Sequence, residues 1–146
     1  MKAVIQRCSR ARVDVEGKTV GQIENGLVVF LGVMENDDES HAKRLAAKLS
    51  ALRIFSDEDG KFNHSVKDVS GAVLLISNFT ICGDTRKGNR PSFSSAAKPD
   101  VANELYERFA TLLREAQIPV QTGIFAADMK VVVENDGPVS MIMEVS

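Results

Sequence analysis

Hydrophobic and polar positions along the chain first predict a set of β-strands. Residues 11–17 alternate apolar and polar side chains, and the segment 19–24 follows a Gly-Lys turn, a pattern typical of a β-hairpin. Residues 26–33 and 71–79 are almost continuously apolar and have the length of strands. Both are therefore predicted to be central strands that are buried on both faces of a sheet.

Apolar positions spaced three and four residues apart predict two helices. The first stripe follows the acidic residues 37–39, whose charges favour a helix N-terminus, and the second follows Pro99 and Asp100. The stripes consist of Ala42, Leu45, Ala46, Leu49 and Leu52, and of Ala102, Leu105, Tyr106, Phe109, Leu112, Leu113 and Ala116. Further strands are expected near 119–123 and 127–134, leading into a terminal strand.

These elements together predict one α+β domain over residues 1–146. Because strands outnumber helices, we expect a largely antiparallel or mixed β-sheet with two main helices packed on one side. The 146 residues, 44% of them hydrophobic, are enough to bury a substantial core. Two cysteines are too few for a disulfide framework, and the longest apolar run, 26–34, is far short of a membrane span. We expect a cytoplasmic protein with no membrane contact.

Basic residues concentrate in two segments although the net charge is −2. Segments 1–18 and 83–98 each carry three more basic than acidic residues. If the segments meet in the fold, they can hold a few phosphates at one end of an RNA. On the charge pattern alone, ordinary solvated surface charge is the better explanation. The long loop 83–98, rich in Gly and Ser, is of a kind that is usually functional or mobile.

Few residues carry an obvious chemical motif. His41 and His64 lack the spacing of metal ligands, so no metal site is predicted and both are interpreted as solvated surface histidines. No phosphate-binding glycine motif or GxSxG sequence occurs. The polar segment 77–80 remains, at the end of a predicted buried strand, where side chains either form a pocket or cap a turn.

The C-terminal residues 131–146 contain two strand-like runs joined by Asn135-Asp136-Gly137-Pro138. Asp136-Gly137 favours a tight hairpin, but Pro138 removes a donor that the second strand needs. One interpretation is a trans proline that blocks an edge strand. The other is a cis peptide bond, beside a glycine that lets the backbone approach a ligand closely.

Six motifs resemble the D-aminoacyl-tRNA deacylase family in order and spacing, and the resemblance covers essentially all 146 residues. The motifs are AVIQRCSRARVDVEG, LRIFSDEDGKFN, SNFTI, DTRKGNRPSF, TGIFAADM and NDGPVS. The resemblance implies a homodimeric hydrolase, barrel-like in the dimer, that removes D-amino acids from mischarged tRNA. It implies no cofactor and no DNA partner, since the partner is the 3′ end of an aminoacyl-tRNA.

The resemblance also implies the site residues. It assigns catalytic roles to Ser77, Asn78, Phe79 and Thr80, and substrate binding to Arg7, Met129, Gly137 and Pro138. In such a site a Gly-cisPro pair enters the partner subunit's pocket, held by Arg7, and its backbone leaves no space for an L side chain. Because this filter works by exclusion, we expect glycyl-tRNA to be hydrolysed too.

Two departures from the family pattern concern this site. Asn78 stands where the family usually has glutamine, which changes the reach of a hydrogen bond, and Ser140 replaces threonine while keeping the hydroxyl.

Two mechanisms are compatible with these residues. In the first, Thr80 attacks the ester as a nucleophile, although the sequence shows no base to activate it. In the second, the ribose hydroxyl beside the ester activates water, while N–H groups around Phe79 and Thr80 stabilise the oxyanion. The second mechanism is favoured. The competing hypothesis is a dimeric RNA- or metabolite-binding module without catalytic activity.

Overall fold

The computed structural model describes residues 1–146 and contains eight strands and two α-helices. In chain order these are β1 (Lys2–Val15), β2 (Lys18–Ile23), β3 (Gly26–Gly32), α1 (Glu39–Ala51), β4 (Phe55–Ser56), β5 (Phe62–His64), β6 (Ala72–Ser77), α2 (Pro99–Glu115), β7 (Val120–Thr122) and β8 (Lys130–Glu144). A short 3-10 helix, Phe79–Cys82, follows β6. No helix has the length and apolar character that crossing a bilayer requires.

The long strand β1 organises the main sheet. Its first half pairs with β3 and its second half with β2, while β8 pairs along both halves, all in antiparallel orientation. On the other side of β3, strands β6 and β7 add in parallel. The sheet is therefore mixed and nearly barrel-shaped, which confirms the predicted α+β class. Because β3 and β6 run in the same direction, their carboxyl ends lie together at one edge.

The continuous apolar runs are buried on both faces, as predicted. On one face Leu27, Val29 and Leu31 of β3 join the larger core, which also holds the buried sides of α1 and α2. On the other face Val28 joins a smaller core with Leu74 and Ile76 of β6. Successive side chains of a strand point to opposite faces, so two cores require apolar residues at every position.

The hairpin β1–β2 turns at Glu16 and Gly17, one residue earlier than the predicted Gly-Lys turn. Both residues have positive φ, 51° and 76°, as a two-residue turn matched to strand twist requires. Asp84 and Ser92 form a second, isolated antiparallel bridge inside the long basic loop. That loop is therefore partly ordered by its own backbone.

Helix α1 begins at a capping box. The Asp38 carboxylate accepts hydrogen bonds from the N–H groups of Ser40 and His41, and Nδ1 of His41 accepts one from the N–H of Asp38. The interpretation of His41 as a solvated histidine is wrong, because its side chain is only 16% exposed and completes this cap. Helix α2 has Pro99 in its first turn, where a missing N–H is not needed.

The C-terminal runs form one strand rather than two strands joined by a turn. Both halves of β8 pair with β1 in one continuing direction, with Gln6 opposite Ser140 and Cys8 opposite Asn135. Arg7 alone therefore faces the four residues 136–139, which bulge out of the ladder. The predicted separate strand at 127–134 is wrong for the same reason: it is the first half of β8.

Candidate active site

A cleft of about 760 Å³ opens at the edge where β3 and β6 end. Nineteen residues line it and fourteen are hydrophobic, so it can exclude water around a bound group. Its charged or hydrogen-bonding side chains are those of Ser77, Asn78, Thr80 and Asp128. The segment 77–80, singled out from the sequence, thus supplies most of the polar chemistry in this cleft.

The backbone fixes this segment firmly. Strand β6 ends at Ser77, and the N–H of Asn78 donates to the carbonyl of Leu31 at 2.8 Å, which continues the β3–β6 pairing by one residue. The chain then turns into the 3-10 helix, where the N–H of Gly83 donates to the carbonyl of Thr80 at 3.0 Å. Phe79 and Thr80 are consequently exposed at the mouth of the cleft.

Within the segment, two side chains bond to each other. The Thr80 hydroxyl donates to Oδ1 of Asn78 at 2.5 Å. An amide oxygen accepts a hydrogen bond but is far too weak a base to remove the proton. The cleft contains no histidine or lysine, and its one charged side chain is Asp128. In this arrangement the Thr80 hydroxyl oxygen can accept a hydrogen bond, but no basic side chain is placed to remove its proton.

Aromatic rings and Met129 form the walls. Phe79 and Phe93 meet edge to face with centroids 5.2 Å apart, and Phe125 lies 6.0 Å from the buried ring of Tyr106. Met129, predicted from the family motif, does line the cleft. Its sulfur lies against Gly123, where an added Cβ would come within 2.5 Å of it. Glycine at that position therefore lets Met129 reach the cleft.

Sequence reasoning missed most of the lining residues, among them Phe93, Phe125 and Asp128. Phe125 and Asp128 sit inside the motif TGIFAADM, which directed attention only to Met129. Phe93 carried a signal of its own, because a large aromatic residue inside a polar, basic loop needs a partner to cover it.

The remaining predicted site residues form a second cluster, on the bulge of β8. The Arg7 guanidinium donates from Nε to the carbonyl of Asp136 at 3.0 Å and from Nη1 to the carbonyl of Ile54 at 2.8 Å. It also lies 5.6 Å from the ring centre of Phe62. Arg7 thus ties the bulge to the segment that leads into the β4–β5 hairpin.

Asn135 closes the bulge from the other side. Its Oδ1 accepts from the N–H of Val139 at 2.8 Å, and its Nδ2 donates to the carbonyl of Val139 and to the hydroxyl of Ser140. Gly137 has φ +142°, and the Gly137–Pro138 peptide bond is cis. The Val139 side chain is buried in the larger core. The backbone of Gly137 and Pro138 is therefore held out of the sheet at defined points.

The two clusters do not meet within one chain. Arg7 lies opposite Leu27 at the start of β3, whereas Ser77 lies beside Leu31 near its end. Four residues of strand correspond to about 13 Å along the sheet. No residue of the bulge lines the cleft. The eight predicted site residues thus divide into Ser77, Asn78, Phe79, Thr80 and Met129 at the cleft, and Arg7, Gly137 and Pro138 on the bulge.

The sequence profile of the family described as D-Tyr-tRNA(Tyr) deacylase matches residues 4–144 of this chain. The chain belongs to this family. Proteins named D-aminoacyl-tRNA deacylase from Thermotoga petrophila and Geobacter sulfurreducens are 56% and 55% identical to it. The first alignment covers 100% of this chain and 98% of the relative, and the second covers 99% and 95%. These names describe hydrolases of aminoacyl esters.

Two solved structures resemble this deacylase-family chain over nearly its whole length. One, described as the c-Myc DNA unwinding element binding protein, is 36% identical with a TM-score of 0.94, and 100% of this chain and 99% of that chain are covered. The other, described as a probable eukaryotic D-amino acid tRNA deacylase, has a TM-score of 0.85 at 16% identity, with 99% and 98% covered. The second likeness shows the fold alone.

Proposed function

We propose that this member of the deacylase family hydrolyses the ester that joins a D-amino acid to the 3′ end of tRNA. The observation that carries the proposal is that residues 77–80 of the motif SNFTI line an apolar cleft at the sheet edge. An aminoacyl ester is already activated, so binding and orientation in a dry site account for much of the required acceleration. Such a substrate belongs in the compartment where translation takes place.

The proposed enzyme is a homodimer whose site is shared between subunits. Gly137 and Pro138 of one subunit enter the cleft of the other, where their backbone occupies the space that an L side chain would need. Two observations support this arrangement: the bulge lies far from the cleft of its own chain, and Ile142 of β8 is 80% exposed beside it. Large exposed apolar residues on an edge strand are typical of surfaces that another subunit covers.

The proposed chemistry uses the substrate's own 2′-hydroxyl. This hydroxyl orients a water molecule and accepts its proton as the water oxygen attacks the ester carbonyl, while it passes its own proton to the 3′ oxygen of the ester. Backbone N–H groups around Phe79 and Thr80 stabilise the negative oxygen of the tetrahedral intermediate. The bond between the carbonyl carbon and the 3′ oxygen then breaks, so tRNA with a restored 3′-hydroxyl and a free amino acid leave. Support comes from the hydrogen bond that commits the Thr80 proton to Asn78.

Exclusion of the L side chain predicts the substrate range. A filter that works only by steric exclusion of the L side chain cannot reject glycine, which has no side chain to exclude. The missing side chain also leaves no buried polar group of the site without a partner, so binding of glycine carries no such penalty. D-aminoacyl-tRNA and glycyl-tRNA are then hydrolysed with broadly similar efficiency, and L-aminoacyl-tRNA survives.

The test is a time course with purified protein on D-Tyr-tRNA, L-Tyr-tRNA and Gly-tRNA at equal enzyme concentration. We expect release from the first and third and protection of the second. Strong discrimination against glycine would show that the D side chain is gripped, which contradicts the exclusion filter. The competing hypothesis, an RNA- or metabolite-binding dimer without activity, predicts binding but no release from any of the three.

A further inference from the structure

The basic loop next to the cleft forms a closed hairpin with free positive charges at its tip. The N–H of Asp84 donates to the carbonyl of Ser92 at 2.8 Å, and the N–H of Ser92 donates back to Asp84 at 2.9 Å. Gly88, at the tip, has φ +65°, a conformation that glycine adopts without strain. We call residues 84–92 the basic hairpin.

Phe93 anchors this hairpin to the cleft. Its ring meets Phe79 edge to face at 5.2 Å, and both rings line the cleft mouth. A Cβ on Gly83 would come within 2.9 Å of the Phe93 ring, so the absence of a side chain at Gly83 allows the approach. The position of the hairpin relative to the cleft is thus fixed by packing as well as by its own backbone bonds.

The charges within the basic hairpin divide into paired and free. Arg86 forms hydrogen bonds with both carboxylate oxygens of Asp84, which lower the pKa of that carboxyl to about 2 and keep the pair ionised. Lys87 and Arg90 are exposed and form no ion pair. Two cations therefore point into solvent on a hairpin whose base adjoins Phe93 at the mouth of the cleft.

Most basic side chains of the other basic segment, residues 1–18, are already engaged in contacts within the protein. Arg10 is paired with Glu134 at 2.9 Å and Arg12 with Asp14 at 3.2 Å, while Arg7 holds the bulge. Lys2 lies near enough to Asp84 to contribute to the lowering of its pKa, but it is itself paired with Glu144 at 3.7 Å. Lys87 and Arg90 are thus two unpaired cations on one short hairpin, although the whole chain is acidic.

We infer that the basic hairpin binds backbone phosphates near the 3′ end of the tRNA, with Lys87 and Arg90 as the contacts. The inference rests on the proposed function, because a tRNA whose terminal ester lies in the cleft must pass its last phosphates over the rim. Phosphate contacts carry no sequence information, so they position the strand without selecting among tRNAs. Two contacts add affinity and hold the strand in register while the cleft reads the aminoacyl group.

The primary test is equilibrium binding of uncharged tRNA to the full-length protein at several salt concentrations. The variants are Lys87→Glu, Arg90→Glu and the double variant, and the matched control is Lys48→Glu, an exposed lysine on α1. We expect the double reversal to weaken binding roughly tenfold or more, and a double alanine variant to lower the slope of log affinity against log salt by about one to two. Lys48→Glu should match the unmodified protein apart from its small effect on net charge.

A second measurement separates this inference from the proposed function. The D-tyrosyl ester of adenosine carries the reactive bond but no phosphate, so the double reversal should lower kcat/KM for D-Tyr-tRNA about tenfold relative to kcat/KM for this ester. If the unmodified protein hydrolyses neither substrate, the proposed function fails while the binding test still decides the hairpin. Equal losses in the hairpin variants and Lys48→Glu would overturn the inference. So would weakened binding of duplex DNA with unchanged binding of tRNA.

Discussion

The Thr80 hydroxyl has a single proton, and at the residue scale that proton's position separates the two possible mechanisms. It is donated to Oδ1 of Asn78, and the shorter asparagine therefore makes a hydrogen bond inside the site rather than leaving a gap. Thr80 then serves as an acceptor and a wall of the cleft. Because of this hydrogen bond, asparagine in place of the family's usual glutamine is compatible with an intact site.

Removing the hydroxyl should accordingly have a modest effect. We expect Thr80→Ala to lower kcat/KM for D-Tyr-tRNA by about tenfold, with Asn78→Ala similar and the double variant little worse, because both break the same interaction. A tRNA that ends in 2′-deoxyadenosine should lose nearly all turnover. Single-turnover kinetics on folded variants measures both effects. Complete loss in Thr80→Ala together with normal turnover of the deoxy substrate would establish a covalent route instead.

Arg7 holds the bulge through two carbonyl groups, and its side chain is only 11% exposed. A lysine keeps the charge but lacks the planar fork that reaches both oxygens. We expect Arg7→Lys to destabilise the fold by about 1–3 kcal/mol and to reduce discrimination between D-Tyr-tRNA and L-Tyr-tRNA about tenfold. Urea unfolding and paired deacylation assays measure the two effects. Unchanged chiral discrimination in a destabilised variant would mean that Arg7 supports the sheet alone.

At the scale of secondary-structure elements, helix α1 depends on its N-terminal cap. Hydrogen bonds from the Ser40 hydroxyl and from His41 hold the pKa of the Asp38 carboxyl well below its ordinary value. The folded pKa lies below the unfolded one, so this contribution is fully present above about pH 4 and is lost as the pH falls through the folded value.

Asp38→Ala should therefore lower the midpoint of thermal unfolding by a few degrees at pH 7, and the difference from the unmodified protein should shrink in acid. Circular dichroism melts at pH 7 and at pH 3 measure the two differences. Asp38→Ser is the matched control, because a serine caps the helix without an ionisable group. Its difference from the unmodified protein should also diminish in acid, and a constant offset for both variants would show that the carboxylate is not the cause.

Local patterns predicted α1 and α2 from helical apolar spacing, and β3 and β6 from apolar runs that have the length of strands. They failed at β8, where Asp136-Gly137 resembles a hairpin turn. Whether such a turn reverses the chain depends on its neighbours, and here both flanks pair with β1, more than a hundred residues away in sequence. Interactions at that separation leave no trace in the local pattern of β8 itself.

The candidate site was predictable to a similar extent. The segment 77–80 followed from its place at the end of a buried strand, and Met129 followed from the family motif. The division of the site residues between a cleft and a distant bulge could not be predicted. It depends on how the neighbouring strands pair with β3, which places Arg7 beside Leu27 but Ser77 beside Leu31. Asp128 was missed because a single acidic residue in a loop has no distinguishing sequence pattern.

At the scale of the whole molecule, β8 is a long edge strand with only one pairing partner. It pairs with β1 on one side only, and Ile142 and Val132 are exposed along it. A second subunit that covers this strand would bury these apolar side chains and bring the bulge to another cleft, as the proposed shared site requires.

Ile142→Glu should therefore disrupt assembly. We expect the unmodified protein to sediment at about twice the chain mass of 15.9 kDa and the variant to shift toward the monomer. Deacylation and chiral discrimination should fall together with the dimer fraction across a concentration series. The exposed residue Val101 on α2 provides the control, since Val101→Glu should leave the sedimentation unchanged. A fully active Ile142→Glu monomer would disprove the shared site.

The bulge of β8 has a consequence for how its length can vary. A strand usually cannot gain or lose one residue without exchanging its inward and outward faces. In β8 each half is registered separately against β1, at Gln6–Ser140 and at Cys8–Asn135. A residue inserted between these points lengthens the excursion and leaves both halves in place. The reach of this segment is thus a parameter that evolution or protein engineering can adjust independently of the sheet that carries it.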